Sequence, residues 1–311
     1  MAKNPNKIVA KKVASDYVLD TIFTVVIILV LVTTLYPFLN SLAISLNSAD
    51  DTIKGGITIF PRDFTLRNYE LVFTNPKIWN AYAVTIARTV IGTVGGLLIT
   101  GGMGFAMSRT GLVARKFYVF FCLIPMYIGG GLVPTYFVIK ELGLIDSFWV
   151  YILPALVNLW NMILMRSNFA AQPEALEESA RIDGADYITI FFKIYWPIST
   201  PIIATIALYF GVQHWNSWYD ASVYIYNQDL KPMQTVLMSI VNEAAFAERM
   251  AAASGGAADA GAIANMAKGK NTNVRSITMS TMIVTIIPVL IVYPFLQRYF
   301  VKGIMVGSVK G

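Results

Sequence analysis

The chain has almost none of the side chains on which soluble enzymes most often build their chemistry. Its 311 residues include one cysteine, Cys122, and one histidine, His214. A lone cysteine inside an apolar run excludes an intrachain disulfide framework and says little about the redox compartment. A lone histidine with no cysteine cluster beside it argues against a metal site, and none is expected. Charge is scarce too: 14% of residues are charged, where a soluble domain has about 25%. No GxxxxGK[ST] phosphate loop occurs, so the chain is not built to bind and hydrolyse ATP in the usual manner. Nor do the apolar runs hold a carboxylate or a paired nucleophile and base.

What is abundant is hydrocarbon. Hydrophobic residues make up 56% of the chain and the mean hydropathy is +0.59. Six runs are long and apolar enough to cross a bilayer: Thr21–Leu39, Trp79–Met107, Phe117–Ile139, Phe148–Met165, Ile202–Trp218 and Ile277–Leu296. The first covers about 28 Å at 1.5 Å per residue, close to one hydrocarbon core. Ser41-Leu42-Ala43 faintly resembles a signal-peptidase site, but the apolar core is too long for a signal peptide. The expected fold is therefore all-α, a polytopic membrane protein with six spans.

The net charge of +6 is scattered around these spans and reads as topology, not as a nucleic-acid patch. Counted together, residues 1–20, the basic turn at Arg109–Lys116, the loop from Arg166 to Pro201 and the 298–311 tail hold 13 Lys and Arg in about 75 residues against 10 in about 105 for the remaining loops, which places both termini and the 170–201 loop in the cytoplasm. Asn47–Lys77 and 219–275 then lie outside, the latter holding an Ala- and Gly-rich tract, 244–267, expected to be a mobile or partner-facing insertion. Inside the second run stands Arg88; it either faces a cavity or partner, or snorkels to the interface. The glycines of that run, Gly92 to Gly104, leave room for close helix approach. Gly129–Gly131 and Pro134 interrupt the third run, a break that either lines a path or serves packing.

The longest charged, amphipathic stretch is Pro173–Pro201, PEALEESARIDGADYITIFFKIYWPISTP. Pro173 suits a first helical turn, and Glu174, Glu177 and Glu178 sit near the positive end of the helix dipole. Glu177 and Glu178 lie one turn before Arg181, and Gly184 can end that helix in a left-handed conformation. Asp186 can cap the next. The prediction is a helix, hinge, helix elbow.

Glu178-Ser179-Ala180, then Gly184, then Ile194 and Pro197, resemble the EAA loop of ATP-binding-cassette (ABC) importer permeases, and the tail QRYFVKGIMVGSVKG is similar to the maltose-transporter type. Ser179 stands where the family usually has alanine and Trp196 where it has leucine. The resemblance covers nearly the whole chain and implies the type I ABC importer permease fold, an inner-membrane multi-pass protein in bacteria and import of a sugar. It further implies a second permease subunit, two ATPase subunits seated on the elbows, an extracytoplasmic sugar-binding protein, and surrounding lipid; ATP and magnesium would bind on the ATPase, with no cofactor or catalytic residue on this chain. The elbow residues implied to couple to the ATPase are Glu178, Ser179, Ala180, Asp183, Gly184, Ile194 and Pro197. GGGLVPTY at 129–136 and HWNSWYD at 214–220 resemble the subgroup that handles oligosaccharides or polysaccharide fragments.

A sugar offers apolar C–H faces to aromatic rings and a rim of hydroxyls to polar side chains. Gln213, Trp215, Asn216, Tyr219 and Asp220 supply that mixture, with Asn158, Asn161 and Arg88 as further candidates for the path. On an ideal helix Gln213, Asn216 and Asp220 share a face, expected to line a cavity. An interfacial aromatic belt is the alternative. For the whole chain, the rivals are an ion-coupled secondary transporter, an intramembrane enzyme and a non-conducting scaffold; the missing carboxylates weigh against the first.

Overall fold

The computed structural model describes residues 14–253 and 273–308. The basic N-terminal residues 1–13, the insertion's residues 254–272 and the last three residues of the tail lie outside the described residues. Three helices cross-check against the apolar runs directly: Asp16–Ser45, Pro76–Ser108 and Val274–Pro294 are long and apolar enough to span, and three further bent pairs bring the number to six if each pair is one span.

The helices are α1 (Ala14–Ser45), α2 (Ala49–Ile53), α3 (Arg67–Phe73), α4 (Pro76–Ser108), α5 (Arg115–Tyr127), α6 (Leu132–Glu141) and α7 (Leu159–Ala170). They continue as α8 (Ala175–Ile182), α9 (Tyr187–Ile190), α10 (Trp196–Ile198), α11 (Thr200–Asn216), α12 (Tyr219–Tyr224), α13 (Met233–Ala253) and α14 (Val274–Ser308). The chain divides into two compact units, one from Met1–Glu70 with Ala258–Ile283, the other from Leu71–Ala257 with Val284–Gly311.

In the first unit α1 is exposed along its whole apolar window. Its threonines waste no donor in lipid: Thr21, Thr24, Thr33 and Thr34 each donate a hydroxyl to the carbonyl one turn back. The loop after α1 is knotted around Asn47, fully buried, whose side-chain oxygen accepts the backbone N–H of Arg62 and Asp63 at 2.8 and 2.9 Å. Its amide donates to Asp51 and Thr52 at 3.1 Å. Hydrogen bonds from Asn47 and Arg62 hold the Asp51 carboxyl below its ordinary range.

The second unit is organised on α4, against which α7 and α11 pack. Glycine makes this possible: a Cβ on Gly92 would fall 2.3 Å from the His214 ring, and one on Gly96 would fall 2.7 Å from Phe210. Around this contact Leu97, Phe105, Met165, Phe169, Ile190, Tyr195 and Phe210 form a core.

The expected third span is not one rod. α5 and α6 meet at 118°. Ile128 ends α5 with an extended backbone, and Gly131, at φ +79, opens α6, so three glycines without side chains let the chain double back. The fourth run bends by 44° between a 3-10 segment ending at Ala155 and α7. Asn158 sits at that bend as the N-cap of α7, accepting from Asn161 N–H at 3.0 Å. Segment 219–275 holds α12 and, after a loop at 225–232, α13, so the first part of the 244–267 tract lies in a helix.

Candidate functional site

The elbow forms as its residues dictate. α8 ends at Asp183, Gly184 adopts φ +80, and Ala185 N–H returns to the Ala180 carbonyl at 2.9 Å. Asp186 then caps α9 through Thr189 N–H at 2.9 Å, a bond that also lowers the pKa of its carboxyl. A π-helical turn, Phe191–Tyr195, leads through α10 into α11, with a 90° bend between the two arms. One face of the elbow is packed: Ala180, Ala185 and Ile194 lie against the core. The other is bare: Glu178, Ser179, Asp183, Gly184 and Pro197 are exposed, as is Ile182 at 87%.

What holds the elbow is a cation that the sequence motif does not contain. Arg109, the residue after α4, donates to Glu177 Oε2 and to the Tyr195 hydroxyl at 2.5 Å each, and to the Phe169 carbonyl at 3.0 Å. Its guanidinium lies 4.3 Å from the Tyr195 ring centroid and 4.9 Å from that of Phe105. Arg181 adds a second ion pair to Glu177, 2.9 Å, and a hydrogen bond to the Tyr187 hydroxyl. Burial alone would raise the Glu177 pKa, but hydrogen bonds from Arg109 and Arg181 outweigh it and hold the carboxyl below its ordinary value. No motif in the sequence connects Arg109 to Glu177. The spacing in sequence, 68 residues, carries no local signal.

Arg88 lies one bilayer thickness from Arg109 on the same helix, about 31 Å at 1.5 Å per residue. It neither snorkels nor lies open. At 1% exposure it donates to Asp220 Oδ2 at 2.6 Å and to the Ser217 carbonyl at 3.2 Å, with its guanidinium 4.3 Å from the Tyr151 ring centroid. The shared face expected for Gln213, Asn216 and Asp220 does not form. α11 ends at Asn216, Ser217 is extended, and Asp220 belongs to α12, where it accepts from Ser217 Oγ and Ala221 N–H at 2.9 Å. The acid that was expected to face a cavity is turned onto Arg88 because a buried guanidinium needs a counter-charge more than it needs a regular helix. Gln213, Asn216 and Tyr219 are exposed, and Asn216 accepts from Gln234 at 3.4 Å. Asn161 is buried.

Trp215 points elsewhere. It lines a cavity of about 190 Å³ with Thr89, Gly211, Pro288 and Tyr293. The Trp215 Nε1 and Thr89 Oγ1 atoms have no hydrogen-bond partner among the described residues, and the remaining wall is mostly apolar. Such a wall does not satisfy the hydroxyl rim of a sugar.

No family model matches the chain. It is 35% identical over 275 residues to the polygalacturonan/rhamnogalacturonan transport system permease protein YtcP of Bacillus subtilis, covering 88% of this chain and 92% of that one. The arabinooligosaccharides transport system permease protein AraQ of Halalkalibacterium halodurans is 26% identical over 281 residues, 89% and 91% of the two chains. Among solved structures it resembles a bacterial ABC transporter involved in the import of the acidic polysaccharide alginate, with a TM-score of 0.83 and 27% identity over 93% of this chain and 99% of that one. These likenesses favour an ABC importer over an ion-coupled carrier or a scaffold. A chain that is helical with up to six spans among its described residues, and matched over 88% of its length by a transport permease at 35% identity, belongs to the permease family of sugar ABC import systems.

Proposed function

We propose that this permease carries oligosaccharides released from acidic, uronate-containing polysaccharides. The observation behind this reading is that a relative at 35% identity is named for polygalacturonan and rhamnogalacturonan, and the structural neighbour for alginate. In this reading a second permease subunit completes the path, two ATPase subunits bind ATP and magnesium, and a binding protein delivers the sugar. Both termini and the elbow face the cytoplasm. The bare face of the elbow, Glu178, Ser179, Asp183, Gly184 and Pro197, seats in the ATPase, while Ala180 and Ile194 tie the same turn to the core. A short rigid lever of this kind turns closure of the ATPase dimer into helix tilt. Gln213, Asn216 and Tyr219, exposed where α11 ends, contribute to the path, as does the half-buried Asn158 at the bend that opens α7, while the buried Asn161 serves packing. Arg88 and Asp220 hold its outer wall.

Purified complex in liposomes, supplied with binding protein, tests the reading. ATP-dependent, vanadate-sensitive uptake of trigalacturonate is expected, and uptake of galactotriose alone would overturn the acidic class. Glu178→Lys with Gly184→Val should abolish uptake while the permease still inserts; normal transport by that variant would remove the elbow as the coupling element.

A further inference from the structure

GGGLVPTY and the stretch that follows HWNSWYD are far apart in sequence, yet the fold brings them together. Tyr136, on α6, is stacked offset on Tyr224, at the end of α12, with ring centroids 6.1 Å apart and planes 23° from parallel. Tyr224 is buried and serves as backing. Tyr226 is 64% exposed and follows Tyr224 across an extended Ile225, so its ring lies on the same side of the chain as the ring on which Tyr136 stacks.

The loop carrying Tyr226 is fixed from behind. Asp146, a non-glycine residue at φ +56, accepts the backbone N–H of Tyr226 at 3.0 Å and of Asn227 at 2.7 Å, and its own N–H donates to the Tyr224 carbonyl at 2.9 Å. A strained backbone, a carboxylate oxygen that accepts from two residues of the loop and a backbone bond to a third hold an exposed aromatic ring in one place. One turn after Tyr136 on the same face of α6 stands Lys140, exposed and without an ion-pair partner among the described residues.

The geometry points to a uronosyl subsite made by Tyr136, Tyr226 and Lys140 at the outer mouth of the permease. A uronate pyranose stacks its C–H face on an exposed tyrosine, gives its ring hydroxyls to the two phenols and its carboxylate to the Lys140 ammonium. Asp146 keeps its negative charge, its two backbone bonds both falling on Oδ1, so the uronate lies with its carboxylate turned toward Lys140 and away from Asp146. The subsite rests on the acidic-oligosaccharide reading above and assigns it a place: the ring is caught on arrival, before it enters the spans.

A capture site has a signature that a merely structural one lacks. When it fails, a docked binding protein still triggers ATP hydrolysis but the released sugar escapes, so sugar imported per ATP falls. The complete complex in liposomes, with binding protein loaded with trigalacturonate, is assayed for uptake and hydrolysis together. Lys140→Gln and Tyr226→Ala should each lower the ratio about tenfold, the scale of one charge-assisted contact. Lys140→Arg and Tyr226→Trp should restore it. An unchanged ratio, or uptake and hydrolysis falling in parallel, overturns the subsite while wild-type uptake of trigalacturonate keeps the substrate class. Wild-type uptake of galactotriose and not of trigalacturonate overturns both.

Discussion

Arg109 shows how much of this molecule depends on single cations placed where hydrocarbon surrounds them. Its partners, Glu177, Tyr195 and the Phe169 carbonyl, come from three elements, so one side chain fixes the elbow to α7 and to the π-helical turn. Because the folded pKa of Glu177 lies below its ordinary 4.5, its contribution is fully present above that value and is lost as pH falls through the lower, folded one. The thermal stability of the detergent-solubilised permease should therefore drop between pH 5 and pH 3 by more than in Glu177→Gln. That variant leaves Arg109 without its counter-charge and should cost about 3 kcal/mol at pH 7. Equal pH dependence in the two proteins would mean that Glu177 is not a stabilising carboxylate.

At the scale of elements the seam between α4 and α7 is set by glycine, and neighbouring glycines should behave differently. A Cβ at Gly104 would meet the Met162 carbonyl oxygen at 3.1 Å and Arg166 N at 3.2 Å, backbone atoms with nowhere to go, whereas one at Gly102 meets nothing within 4 Å. Gly104→Ala should destabilise the permease by about 1–3 kcal/mol, and Gly102→Ala should be neutral or stabilising. Denaturant titration followed by far-ultraviolet circular dichroism separates them; equal midpoints would mean that the seam is looser than the structure shows.

The spans themselves were legible because an apolar run of bilayer length has few other uses, and the elbow because Pro173, Gly184 and Asp186 punctuate it. The doubling back of α5 onto α6 was visible only as a break at Gly129–Gly131, since glycine permits a turn without stating its angle. The pairing of Arg88 with Asp220 was hidden for another reason. Helical periodicity assumes a continuous helix, and the chain breaks at Ser217 to satisfy a charge whose partner no local pattern reveals.

At the scale of the whole second unit, α4 is the member to which the rest of that unit is tied, through Arg88 in its first half and Arg109 just past its end. Near its start Asn80 donates to the Asp229 carbonyl at 2.5 Å, and Thr85 accepts from Met233 N–H at 2.8 Å. The N-terminal half of α4 is thus tied to segment 217–233. Exchanging the charges, Arg88→Asp with Asp220→Arg, should recover part of the several kcal/mol that either change alone removes. Recovery is read as the yield of folded, monodisperse permease; a double variant no better than the single ones would mean that the pair contributes nothing by charge.

That pair also sets a schedule for making the protein. Arg88 leaves the ribosome 132 residues before Asp220, which at 5–20 residues per second is an interval on the order of ten seconds. Throughout that time α4 is a membrane helix with an unanswered guanidinium near one edge of the hydrocarbon, at a cost below the roughly 3 kcal/mol of the bilayer centre. The nascent helix must wait at the translocon, or beside an insertase, until α12 has been synthesised. Chains halted before residue 220 should be cleared by membrane proteases faster than chains halted just beyond the end of α12. Placing an Asp one helical turn from Arg88, as in Gly92→Asp, supplies the missing counter-charge early, at the expense of the His214 contact, and should lengthen the lifetime of the shorter chains.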